Sequence, residues 1–519
     1  MGREHVENER TERERAGRSL EQSAAPKGVP SGRHLLLVVV SAVFLTTFTG
    51  SMINAVIPVI RAEFGASPAW IGWVVTGYLL AYAVAVPILG RASDRFGVRR
   101  LFAIGLAGFA AGGVICALAP DLPVLILGRT LQGCAGAAVP ALSAVAVARR
   151  FPPGQRGGAL GMIASTVGVG QSAGPVAGGV LGEWLGWRGL FGIPIALALF
   201  LIPFALRFLP GERSPEARSF DTAGGLLLAS SAGLLLFSIT QGQAVGFAAP
   251  SSWGSLAVAL LAAAALVRRS KQVAHPFLPL ELFRNRGYVA ALLVGPAAMF
   301  VSLSVLVLVP LLVDEVNGLS SSATGVILTP QAVAVALTAP FAGRLSDRIG
   351  TRRPIRVGLG VLMLTVAALS VWAGLSPIAV AVMMAVLGAG LACVQSPASN
   401  AAANALGEKD VGAGMGLFQG TGFLLGAAGP AIAGALLAAR QRTGPEAWNP
   451  LFRLADLPEA GPFSDAFLAL LIPLAGAFAV AGRLPAVRSR KSDVSAQEGE
   501  RLFGMRLSPA AAKPPGERE

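Results

Sequence analysis

The chain has 519 residues, 54% of them hydrophobic and only 13% charged, where an ordinary soluble domain carries about 25% charged residues; a water-soluble globule is excluded. The net charge of +14 does not indicate nucleic acid, because the cations sit between apolar runs and not on one face of a soluble domain. Cys116, Cys134 and Cys393 all lie inside apolar runs, at a number and spacing that make neither a disulfide framework nor a metal cage.

Along the chain, the first thirty-odd residues interleave Glu and Arg from Glu4 to Arg18, which predicts a disordered cytoplasmic tail over 1–33 with no leader pattern. Apolar runs follow near 35–60, 70–90, 102–119, 122–148, 158–182, 189–209, 222–240, 249–267, 288–313, 323–343, 357–374, 377–398, 413–438 and 464–482. A bilayer core about 30 Å thick needs roughly 20 apolar residues in helix, and each helix satisfies its own backbone there. The expected class is therefore an all-α integral membrane protein with about fourteen transmembrane helices. Gln241, Gln243 and a break at 250–252 interrupt the seventh and eighth runs, which fit either two spans or one hairpin that crosses imperfectly. The loop from Arg268 to Gly287, with His275-Pro276-Phe277, is expected on the membrane surface, and 485–519 reads as a second disordered tail.

Short basic loops set orientation. One set of connections holds Arg91, Arg95, Arg99 and Arg100; Arg149, Arg150 and Arg156; Arg207, Arg213 and Arg218; Arg268, Arg269, Lys271, Arg284 and Arg286; and Arg344, Arg348, Arg352, Arg353 and Arg356. The opposite set holds Arg61, Arg188, Arg440, Arg442 and Arg453. Both termini are thus expected in the cytoplasm, with the chain in the inner (cytoplasmic) membrane.

The turn Gly90-Arg91-Ala92-Ser93-Asp94-Arg95-Phe96-Gly97-Val98-Arg99-Arg100 recurs as Gly343-Arg344-Leu345-Ser346-Asp347-Arg348-Ile349-Gly350-Thr351-Arg352-Arg353, identical at eight of eleven positions. Each copy joins the second and third helices of a six-helix set, which predicts a parallel repeat with a substrate site between two bundles. The bundles are expected over 34–210 and 288–484, with two extra helices and the surface loop over 211–287. The glycines permit a tight turn, and Asp94 can pair with arginines or cap a neighbouring helix. A gating latch is one reading of these turns, and an ordinary basic loop with a local ion pair is the other.

Arg129 lies inside the fourth run, where a guanidinium costs at least about 2.5–3.5 kcal/mol; it needs partners or water, or reaches the interface. Gly161, Gly168, Gly170, Gly174, Pro175, Gly178, Gly179 and Gly182 string the fifth run into a thin, kinkable surface, suited to a hinge or to simple close packing.

With Trp73-Val74-Val75-Thr76-Gly77-Tyr78-Leu79-Leu80, the paired turns, Gly128-Arg129-Thr130-Leu131-Gln132-Gly133, Gly174-Pro175-Val176-Ala177-Gly178-Gly179 and Gly412-Ala413-Gly414-Met415-Gly416, the chain resembles the major facilitator superfamily. Within it, the chain resembles the fourteen-helix drug/proton antiporters, including the fourteen-helix tetracycline exporters. The resemblance implies a gating role for Gly90, Arg91, Asp94, Arg95, Gly97, Arg99, Gly343, Arg344, Asp347 and Arg348. It further implies proton transfer involving Arg129, an exporter's antiporter motif at Gly170, Gly174, Pro175, Gly178 and Gly179, and two six-helix bundles plus two central helices.

One departure stands out: tetracycline exporters carry embedded acids where this chain has Thr49 or Gly50, Gln171 and Gly426. The acids nearest the membrane, Glu63, Asp94, Asp121, Glu183, Asp314, Glu315 and Asp347, fall at span ends or in loops, and no histidine is embedded. Coupling would then run through Asp94 or Asp347 with Arg129, or transport is uncoupled, and neutral or anionic substrates suit the site better than cations. Among interior polar residues, Asn54, Tyr78, Gln132, Gln171, Gln331 and Gln395 are candidates to line the cavity, although for any one of them a helix-to-helix hydrogen bond is the better single reading. The expected function is efflux of small, largely apolar compounds by alternating access, proton-coupled, by a protein functional as a monomer; the alternative is a metabolite carrier. An enzyme is not expected, since no nucleophile–base pair or metal-ligand set lies in the spans, and no cofactor, metal or nucleic acid is called for.

Overall fold

The computed structural model describes residues 32–66, 68–211, 221–246, 248–319, 321–372, 374, 376–407, 410–444, 448–449 and 458–484. The predicted tails lie outside these residues apart from the start of the first helix at Gly32, as do Arg213, Arg218 and Arg453. Among the described residues every regular element is helical.

The rods are α1 (Gly32–Phe64), α2 (Trp70–Phe96), α3 (Val98–Ala117), α4 (Leu122–Arg150), α5 (Arg156–Gly189), α6 (Gly192–Phe208), α7 (Thr222–Val245), α8 (Pro250–Gln272), α9 (Arg286–Glu315), α10 (Ser321–Ile349), α11 (Arg352–Val371), α12 (Pro377–Ala405), α13 (Val411–Thr443) and α14 (Gly461–Ala481). Twelve of them are each long and apolar enough to cross a membrane, and the end of α5 together with α6, bent by 82°, can form a thirteenth span. The seventh and eighth runs fold as two separate helices of 24 and 23 residues, joined by reciprocal hydrogen bonds from Ser238 Oγ to the Ser252 carbonyl (2.7 Å) and from Ser252 Oγ to the Ser238 carbonyl (2.9 Å).

Helix ends follow local chemistry. Asp121 caps α4 by accepting from the Val124 N–H (2.9 Å), and Ser376 caps α12. Gly97 and Gly350, which separate α2 from α3 and α10 from α11, sit at φ +81° and +84°, a region that glycine, lacking a Cβ, enters at little cost.

Within the first group, α1 packs on α5 and α6, α2 on α4, and α3 on α4 and α6; within the second, α10 packs on α12, α9 on α12, α13 and α14, and α11 on α12 and α14. Among the described residues two main seams join the groups, α2 against α13 and α5 against α10, with α4 reaching α13 and α12 reaching α5 beside them. At the first, a Cβ on Gly90 would lie 2.5 Å from the Gly416 Cα, and Pro87 fills the space before Gly420. At the second, Gly157 lies on the Gly343 carbonyl, Gly161 on the Ala339 carbonyl, and Ser165 Oγ donates to the Ala336 carbonyl. These contacts occupy the halves of the helices next to the basic loops.

α13 runs through Arg440 and Arg442, which the sequence places in a loop. Arg440 is buried, donating through Nε to Asp465 Oδ2 of α14 (2.8 Å).

Candidate functional site

The two repeated turns carry the densest polar chemistry of the seams. Asp94 accepts from Arg91 Nη1 (3.2 Å) on its own helix, from Arg149 Nη2 (2.7 Å) of α4, and from the N–H groups of Gly412 (3.1 Å) and Ala413 (3.2 Å) in the first turn of α13. Asp347 does the reciprocal thing: it accepts from the N–H groups of Gly157 (3.0 Å) and Gly158 (2.9 Å) in the first turn of α5, and from Asn400 Nδ2 (3.0 Å) of α12. Each carboxylate thereby caps a helix of the opposite group, meeting both its free N–H donors and the positive end of its dipole. Glycine in those first turns keeps the backbone donors within reach, while Ser93 and Ser346 tie back to the Gly90 and Gly343 carbonyls.

The flanking arginines differ in duty. Arg91 also donates through Nη2 to the Pro276 carbonyl of the α8–α9 loop (3.2 Å), and Arg99 donates through Nε to the Leu209 carbonyl at the end of α6 (2.9 Å). Arg95, Arg344 and Arg348 are exposed.

That loop is pinned by a residue the sequence reading passes over. Asp221, the N-cap of α7, accepts from the Gly224 N–H (2.9 Å), Arg269 Nε (2.7 Å) and the Phe277 N–H (3.2 Å). Burial pushes its carboxyl up, but these hydrogen bonds and the Arg269 charge together outweigh burial, leaving it below the usual carboxylate range.

Arg129 is fully buried on α4. Its Nε donates to the Val74 carbonyl of α2 (3.3 Å), its Nη1 to Gln132 Oε1 (2.6 Å), and its guanidinium lies 4.2 Å from the Tyr78 ring centroid. Tyr78 stacks on Tyr82 at 5.8 Å, and Tyr82 meets Phe423 of α13 edge-on at 4.8 Å, so rings connect Arg129 to the seam.

The structure thus gathers Tyr78 and Gln132 around Arg129 and leaves the other candidate lining residues apart. Gln331 of α10 is buried and donates to Ser302 Oγ of α9 (2.8 Å), Gln395 is half-buried, and Asn54 and Gln171 are exposed. The α5 glycines divide into two faces. Gly157, Gly161 and Gly168 meet α10, whereas Gly170, Gly174 and Gly178 meet Thr47, Phe48 and Met52 of α1; Gly179 has open space around it and Pro175 is exposed.

The Major Facilitator Superfamily family model matches residues 39–430. The chain belongs to the major facilitator superfamily. Its relatives in that superfamily include the multidrug resistance protein Stp of Mycobacterium tuberculosis, 29% identical over 76% of this chain and 74% of the relative. The tetracenomycin C resistance and export protein of Streptomyces glaucescens is 30% identical over 87% and 83% respectively, and the riboflavin transporter RibZ of Clostridioides difficile is 29% identical over 70% and 79%. Among solved structures, the human organic anion transporter MFSD10 matches with a TM-score of 0.62 at 18% identity, covering 87% of this chain and all of that one. Membership makes the two groups of helices a transporter of small molecules across a membrane.

Proposed function

We propose that this transporter exports small, largely apolar compounds of antibiotic type by alternating access, acting as a monomer in the inner membrane with both termini in the cytoplasm. The observation that carries the reading is the reciprocal capping of α13 by Asp94 and of α5 by Asp347 at the basic face. Such joints hold two bundles together by charge and dipole over glycine contacts, and they can release without tearing an apolar core. The likeness to the Stp and tetracenomycin C proteins supports an antibiotic-type cargo.

Protons are the proposed driving ion, and protonation of Asp94 or Asp347 would discharge a cap. Arg129 stays charged, so its part in coupling is electrostatic. A second reading, a metabolite carrier with other coupling or none, draws on the likeness to RibZ. Susceptibility and accumulation profiling of cells with and without the gene, over a panel of antibiotics and dyes with Arg129→Ala as control, tests export; unchanged accumulation of every compound removes it. In vesicles, transport driven by a pH gradient that survives loss of both Asp94 and Asp347 removes the surface-latch mechanism.

A further inference from the structure

Arg129 is the largest side chain in the described structure with essentially no exposure. Two donors in its cluster, Arg129 Nη2 and Gln132 Nε2, meet no acceptor among the described residues, and no carboxylate pairs with Arg129 there. A buried guanidinium without a counter-charge is strongly unfavourable, and arginine cannot relieve it by losing its proton. Orphaned donors three residues apart lie on one face of α4. An uncharged acceptor would satisfy the hydrogen bonds and leave the charge standing, whereas an anion satisfies both.

We propose that Arg129 and Gln132 form a buried half-site for one monovalent anion, supplied by free halide or by the carboxylate of an acidic substrate. Tyr78, 5% exposed, lies over the guanidinium with its ring centroid 4.2 Å away. The second source rests on the transport reading above; the first needs only binding.

The test is thermal unfolding of the purified full chain in detergent, at constant ionic strength, with methanesulfonate exchanged for chloride and then with benzoate added. Chloride or benzoate is expected to raise the midpoint saturably by about 2–4 °C. A chloride effect that benzoate does not compete away assigns the site to halide, and a benzoate effect alone assigns it to an acidic substrate. Gln132→Glu, which keeps an acceptor for Arg129 Nη1 and puts a fixed carboxylate in the anion's place, is expected to raise the half-saturating concentration at least about tenfold. Equal midpoints in all three salts, or a shift unchanged in Gln132→Glu, overturn the proposal. Because the readout is binding, a failure of drug export in cells leaves it standing.

Discussion

Asp94 and Asp347 stand at equivalent turns but face unequal donors. Asp94 holds two guanidinium groups as well as the α13 amides, whereas Asp347 holds the α5 amides and one neutral amide side chain. Removing the Asp94 charge strands Arg91 and Arg149 in a largely buried setting, so Asp94→Asn is expected to destabilise the purified protein by on the order of 3 kcal/mol. Asp347→Asn loses a charge–dipole term and is expected to lose about 1 kcal/mol. Chemical or thermal unfolding of the two variants side by side checks the order, and equal losses would contradict it. A similar logic governs Arg440 and Asp465, 4% and 1% exposed at the side chain. Either single change to Leu should lower the melting temperature, and the double Leu variant should recover much of the loss, because stranding one charge is worse than removing both.

At the scale of elements, α7 and α8 are more than a spacer. Asp221 holds the start of α7, the end of α8 and the backbone at Phe277; one residue earlier, Pro276 accepts from the arginine that pairs with Asp94. Phe277 is buried against Gly224 and Gly225, so Phe277→Ala is expected to free Arg91 and increase labelling of a cysteine placed beside it, while leaving helix content unchanged. Since the folded Asp221 carboxyl lies below its unfolded value of about 3.9, its contribution is fully present above that pH and is lost as pH falls through the folded value. Unfolding midpoints should therefore fall as the pH drops below about 3.9, and less so in Asp221→Asn.

These elements also mark what could be read in advance. The spans were legible because a bilayer demands unbroken apolar runs, and the duplicated turn was legible as a literal repeat. The reach of α13 was not: Arg440 reads as a loop residue until Asp465, supplied by the next helix, accounts for its burial. Tyr78 and Gln132 read as lining candidates for which a helix-to-helix hydrogen bond is the better single reading, and only the folding of α2 against α4 brings them to Arg129. Nor does spacing reveal that each aspartate caps the opposite group of helices, because that partner lies about 190 residues away for Asp347 and about 318 for Asp94.

For the molecule as a whole, the closed basic face depends on backbone meeting backbone at Gly90–Gly416 and Gly157–Gly343. Gly90→Val and Gly157→Val should prise the seams apart and shift spin-label distances between the basic ends of α2 and α13, or of α5 and α10, toward longer values. Gly179→Ala, in open space on the same helix as Gly157, should leave those distances unchanged.

The two seams do not meet the lipid on equal terms. α7 packs on both α2 and α13, with Trp73 and Phe237 6.2 Å apart, and so curtains one joint from the acyl chains. The α5–α10 joint is bordered instead by α12 of the second group, which packs on both of its helices. For a compound already dissolved in the bilayer, α7 thereby stands in the way of sideways approach along the α2–α13 joint.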